Sequence, residues 1–174
     1  MKSKRILMVF VAIVLLVAAI TVPVAAYMIK KTGSFESDFT PATVECKVNE
    51  TFENLVKESI TVTNLGDIDA YVRVKLVTYY VGEDGKVLAN KTATIADFTL
   101  GDGWLKGSYN TYYYKTKVGA TGTTNDLLDT SITLANGQVV VVLAEAIQAD
   151  PTDAVTNAWG VTIENGVITS DGSN

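Results

Sequence analysis

Ile68-Asp69-Ala70-Tyr71-Val72-Arg73-Val74-Lys75-Leu76-Val77-Thr78-Tyr79-Tyr80-Val81 is the longest patterned stretch of the chain, and its pattern decides the fold. Val72, Val74 and Leu76 fall on one side of an extended backbone, and Tyr71, Arg73 and Lys75 on the other. A period of two is the mark of a strand with two unlike faces. Working outward, Val44, Cys46 and Val48 alternate in the same way, as do Ile60 and Val62. Tyr112 to Val118 is aromatic and β-branched enough for another strand. Gln138 to Ala149 is almost continuously apolar, which predicts a central strand covered on both faces. Asp84-Gly85, Asn136-Gly137 and Asn165-Gly166 stand between these runs and supply the positive φ angles of tight type I′ hairpins. Together they predict an all-β, antiparallel β-sandwich. One short helix is expected, with Asp150 as N-cap, Pro151 in the first position, Asp153 in the first turn and Gly160 as the stop.

Ahead of the strands the chain reads differently. Lys2, Lys4 and Arg5 precede a run from Ile6 to Ala26 whose only polar side chain is Thr21. A basic start, an apolar helix-forming core and small residues at its end predict a secretory signal peptide cut between Ala26 and Tyr27. At roughly 20 residues the run also suffices to span a bilayer, so an uncleaved anchor is the second reading of residues 1–26. Residues 27–40 are then an extended N-terminal segment and connector, and 41–174 the sandwich domain. Either way the domain works outside the membrane.

Without the three basic leader residues the chain keeps 11 Lys and Arg against 19 Asp and Glu, a net charge of −8. Such a surface repels phosphate backbones and anionic lipid, which argues against a nucleic-acid partner and limits membrane contact to the leader. The one cysteine, Cys46, cannot form an internal disulfide and reads as a small buried hydrophobe. The chain has no histidine. That removes Ser-His-Asp and Cys-His catalysis and the usual catalytic zinc ligands, so no enzyme activity, metal or cofactor is expected. Glu145, within the apolar run, is the one carboxylate to weigh, and a hydrogen-bonded strand side chain is its simpler reading. Asn64, Asp67 and Asp69 could offer oxygens to calcium or, more simply, shape a turn around Gly66. Trp104, Tyr109, Tyr112, Tyr113 and Tyr114 are a candidate face for glycan or protein, or strand residues of which alternate members pack inward.

Several of these pieces occur in a familiar order. Pro41-Ala42-Thr43-Val44-Glu45-Cys46 leads to Val62-Thr63-Asn64-Leu65-Gly66-Asp67-Ile68-Asp69-Ala70-Tyr71-Val72-Arg73. Gly103-Trp104-Leu105-Lys106-Gly107, Tyr112-Tyr113-Tyr114-Lys115, Ala144-Glu145-Ala146-Ile147-Gln148-Ala149 and Ala158-Trp159-Gly160 follow. Behind a leader ending Ala25-Ala26-Tyr27, this series resembles the TasA/camelysin-like secreted proteins of Gram-positive bacteria, which carry SipW-type signal peptides. The resemblance implies a jelly-roll sandwich, secretion to the cell surface or beyond, and self-association into biofilm-matrix fibres. In such fibres the mature N-terminal segment, here Tyr27, Met28 and Ile29, completes a sheet of the next subunit. The metallopeptidase activity ascribed to the camelysin branch finds no imidazole ligands here. The competing expectation is a membrane-tethered module that binds glycan or protein through the aromatic face.

Overall fold

The alternation centred on Val72, Val74 and Leu76 becomes the middle of a sheet. The computed structural model describes residues 42–172. In chain order it contains β1 (Cys46–Glu53), β2 (Val56–Asn64), β3 (Ala70–Tyr80), β4 (Trp104–Lys106), β5 (Thr111–Tyr114), β6 (Ile132–Thr133) and β7 (Gln138–Gln148). Helix α1 (Asp153–Trp159) and the hairpin β8 (Thr162–Glu164) and β9 (Val167–Ser170) complete it. The strands form a three-stranded sheet in the order β1-β2-β6, a four-stranded sheet β4-β5-β3-β7 and the small sheet β8-β9, all antiparallel. The described residues are all-β with one short helix, as their patterning predicts.

The two larger sheets pack in a sandwich-like way. Ile60 and Val62 of β2 meet Val72, Val74 and Leu76 of β3, with Trp104, Leu127 and Ile132 filling in around them. Burying each such side chain contributes about 1.5–3 kcal/mol, so this layer is the main source of stability. The opposite face of β3 carries a second core, in which Tyr71 and Tyr113 pack beneath Val155 and Trp159 of α1 and Ile168 of β9. The Tyr71 hydroxyl donates to the Gly166 carbonyl at 2.9 Å, tying the β8–β9 hairpin to the sheet. Asn165 (φ 51°) and Gly166 (φ 78°) close that hairpin as the sequence predicts.

Three expectations are corrected. Asn136-Gly137 does turn the chain, with Gly137 at φ 73°, but β6 pairs with β2 and β7 with β3, so it crosses between sheets instead of closing a hairpin. The helix begins later than the Asp150-Pro151 signal suggests: Thr152 is the N-cap residue, with no side-chain cap, while Asp153 in the first turn and the left-handed Gly160 are where they were expected. The third correction concerns β7. Its apolar run predicts a central strand, yet among the described residues it pairs only with β3 and lies at the edge of their sheet; β3 is central.

Candidate functional site

The edge position of β7 builds the site. The Ala149 N–H donates to the Asp69 carbonyl at 2.9 Å, which sets the phase of the β3–β7 ladder. In an antiparallel ladder alternate residues bond inward, so Val139, Val141, Leu143, Glu145 and Ile147 spend their backbone groups on β3. Val140, Val142, Ala144 and Ala146 aim their N–H and C=O groups at the open edge, where no described strand pairs with them. Their side chains are the core-facing ones, and of the four only Val140 is fully buried.

β1 mirrors this arrangement. The Leu65 N–H donates to the Glu45 carbonyl at 2.8 Å, so the odd-numbered residues of β1 bond to β2 and Cys46, Val48 and Glu50 turn their backbone outward. Cys46 and Val48 pack against the main core without being enclosed by it. A bulge after Thr51 then brings Phe52 opposite Lys57. β1 and β7 thus run close together along one side of the sandwich, and the shallow groove between them is floored by half-covered apolar side chains and bounded by edges with which no described strand pairs.

The two ends of the groove differ. At the β1 start, Thr43 N–H donates to Asp67 Oδ1 at 2.7 Å and Asp67 N–H to the Thr43 carbonyl at 3.2 Å, prolonging the ladder beyond Cys46. Gly66 is required there, because a Cβ on it would strike the Thr43 carbonyl. At the far end Lys57 lies under the sheet with its side chain only 3% exposed. Its ammonium donates to Glu50 Oε2 at 2.6 Å and sits 5.6 Å from the centre of the Phe52 ring. Glu50, Phe52, Lys57, Leu134, Val139 and Val140 line a cavity of about 190 Å³ at this mouth. Phe52, although on the core-facing side of β1, is 51% exposed.

Outside the groove the free strand is apolar as well. Val77 pairs across from Val141 and Tyr79 from Val139 on the outer face of the sheet, and Leu143 there is 49% exposed. Further along, Arg73 Nη2 meets Glu145 Oε2 at 2.6 Å and the guanidinium lies 5.0 Å from the centre of the Trp159 ring. Glu145 is therefore an ion-paired surface carboxylate. Burial first, then the carboxylates of Glu145 and Glu45, push the Cys46 thiol above its ordinary range, so it is a poor nucleophile at neutral pH.

The sequence-derived site residues are dispersed by the fold. Trp104 and Tyr112 belong to the main core and Tyr113 to the second one, on opposite faces of the sheet. Tyr114 is half-buried edge-on against Trp104, and Tyr109 alone stands out, 88% exposed at a turn where its φ is 55°. The run thus follows its strand reading and does not form one exposed aromatic face. Asn64, Asp67 and Asp69 do not converge on one point. The buried Asn64 amide shares its two N–H groups among the carbonyls of Ile68 (2.8 Å), Val118 (3.1 Å) and Gly119 (3.2 Å) and accepts from Gly66 N–H (2.9 Å). Asp67 holds Thr43 and Asp69 pairs with Lys117 at 2.6 Å, so all three serve the fold. No group of three or more His, Cys, Asp or Glu among the described residues could hold a metal ion. Ala26, Tyr27, Met28 and Ile29 lie outside the described residues.

Sequence reasoning missed the groove and Lys57. Alternation names the face of a residue but not whether its strand has a neighbour, and the bulge that brings Lys57 inward breaks the period of two. Compared with protein-family models, with curated proteins and with solved structures, the chain matches none.

Proposed function

We propose that this chain is a secreted, non-enzymatic structural protein, a subunit of extracellular matrix fibres that assembles by donating its N-terminal strand to the next copy. One observation carries the reading: β7 has the composition of an interior strand and the position of an edge strand. Exposed edges are ordinarily blunted by lysine, proline, bulges or short length. β7 is 11 residues long, and Gln138 to Gln148 contains no Lys and no Pro. An edge left so open and so apolar is supported as a pairing surface in the working form.

The donor is the segment headed by Tyr27, Met28 and Ile29, exposed by cleavage after Ala26. Burial of two or three such side chains contributes on the order of 3–6 kcal/mol before ordering costs. Donor and acceptor are different surfaces, so the contact is heterologous and propagates without closing. The jelly-roll description belongs to the same proposal. The facing sheets hold three and four strands, and one added strand would bring them to the eight of a jelly roll. The tethered-module alternative is weakened because its aromatic face is mostly core.

Size-exclusion chromatography and electron microscopy of the mature chain, beside a version beginning at Phe35, test the proposal. Concentration-dependent polymers from the mature chain and monomers from the shortened one are expected. Monomers from both across all concentrations would end it.

A further inference from the structure

The cavity at the groove mouth is larger than a strand edge needs, and its chemistry is specific. Its walls are Phe52, Leu134, Val139 and Val140, and its floor is the buried Lys57 ammonium beside Glu50. A volume of about 190 Å³ exceeds the roughly 150 Å³ of an apolar cavity that takes up benzene. Lys57 already faces one ring, that of Phe52, and a second ring entering the cavity would meet the same cation. Given strand donation, the geometry points to this cavity as an aromatic socket, occupied by Phe35 of a second copy and setting how far its N-terminal segment inserts.

Two lengths select Phe35 and favour the second copy. The residues between the cleavage point and Phe35, Tyr27 to Ser34, are eight in number, and so are the β7 residues beyond the socket, Val141 to Gln148. With Phe35 seated against Val140, the donor covers the open edge to its end. Direction agrees with this. The chain leaves the sandwich at Ala42, at the end opposite the socket, so a donor continuing outward enters the next copy at its socket and runs antiparallel to β7. Phe35 is poorly placed for its own socket. Its seven residues to Ala42 span about 25 Å when fully extended, and the ladder from Ala42 to Glu50 at the near wall of the socket spans about 26 Å, so a return to its own socket would leave no residue for the reversal at Ala42.

The test uses the mature chain, Tyr27 to Asn174, with Phe35→Ala, Phe39→Ala and Phe52→Ala variants, and with the version lacking Tyr27 to Ser34. Thermal melting confirms that each is folded, and sedimentation gives the concentration at half-assembly. Phe35→Ala and Phe52→Ala should each raise that concentration by roughly 30-fold, the loss expected of a buried aromatic anchor, while Phe39→Ala leaves it unchanged. If the shortened version fails to assemble but Phe35→Ala assembles like the parent, the socket assignment is wrong and strand donation stands. If the shortened version assembles like the parent, strand donation fails and the socket assignment fails with it.

Discussion

Proline substitution along β7 separates the two sides of that strand with a single chemistry. At Ala144 the N–H points to the open edge, so Ala144→Pro removes no hydrogen bond from the described fold. At Leu143 the N–H bonds to the Lys75 carbonyl in the β3–β7 ladder, so Leu143→Pro deletes that bond and forces the ring against β3. The neighbouring positions should therefore differ sharply: about 1 kcal/mol or less for Ala144→Pro, an edge position where proline is tolerated, against about 3 kcal/mol for Leu143→Pro. Urea unfolding of the monomeric version beginning at Phe35 reads the difference as a shift in midpoint at unchanged slope. In the mature chain the order reverses in consequence: Ala144→Pro keeps the fold and blocks assembly, because the donor loses a backbone partner in mid-strand. Equal destabilisation by both prolines would show that the ladder phase or the open edge is misassigned. Assembly of the mature Ala144→Pro chain at parental concentration would refute β7 as the acceptor.

Three further outcomes follow from individual side chains. Asn64→Ala removes an amide that uses both its N–H groups and its carbonyl, and leaves the buried Gly66 N–H without an acceptor, so stability should fall by about 3 kcal/mol, with the melting temperature down by roughly 10 °C; a change within 0.5 kcal/mol would contradict the role given to it. Burial raises the Tyr112 phenol above its ordinary 10.0, so the folded state holds that proton longer than the unfolded chain; stability is intact below pH 10 and falls as pH climbs toward the folded value, and Tyr112→Phe should flatten that alkaline loss in urea titrations, whereas an unchanged slope would sink the assignment. Cys46, raised from 9.0 by burial and two carboxylates, should react slowly with iodoacetamide at pH 7 in the monomer and become inaccessible in the assembled form; equal rates in both would show that the groove stays open.

How far the sequence reveals all this depends on which physical fact each pattern encodes. Alternation at Val72, Val74 and Leu76 encodes which side of a strand is dry, and the two faces of β3 are as read. Asn165-Gly166 encodes positive φ, and the β8–β9 turn follows. Two other tight turns carry no such mark. Asn54 and Leu55 (φ 50° and 64°) close β1–β2, and Tyr109 and Asn110 (φ 55° and 56°) close β4–β5, with a leucine and a tyrosine in conformations that glycine adopts at lower cost. At β1–β2 the register of two long paired strands overrides local preference. The apolar run of β7 encodes coverage on both faces, a demand the described residues alone do not meet. The misplacement of β7 as a central strand and the open edge observed are thus reconciled if the missing neighbour comes from another molecule. The aromatic run misleads as a binding face for a plainer reason: composition does not distinguish the faces of a sheet when both are covered.

Amide-resolved hydrogen exchange on β7, in monomer and in assembled form, tests the central claim most directly. In the monomer the N–H groups of Val140, Val142, Ala144 and Ala146 should exchange fast while those of Val141, Leu143, Glu145 and Ile147 are protected by β3, and on assembly the first set should become protected as the second set already is. Edge amides that exchange slowly in the monomer, or stay unprotected after assembly, would contradict it.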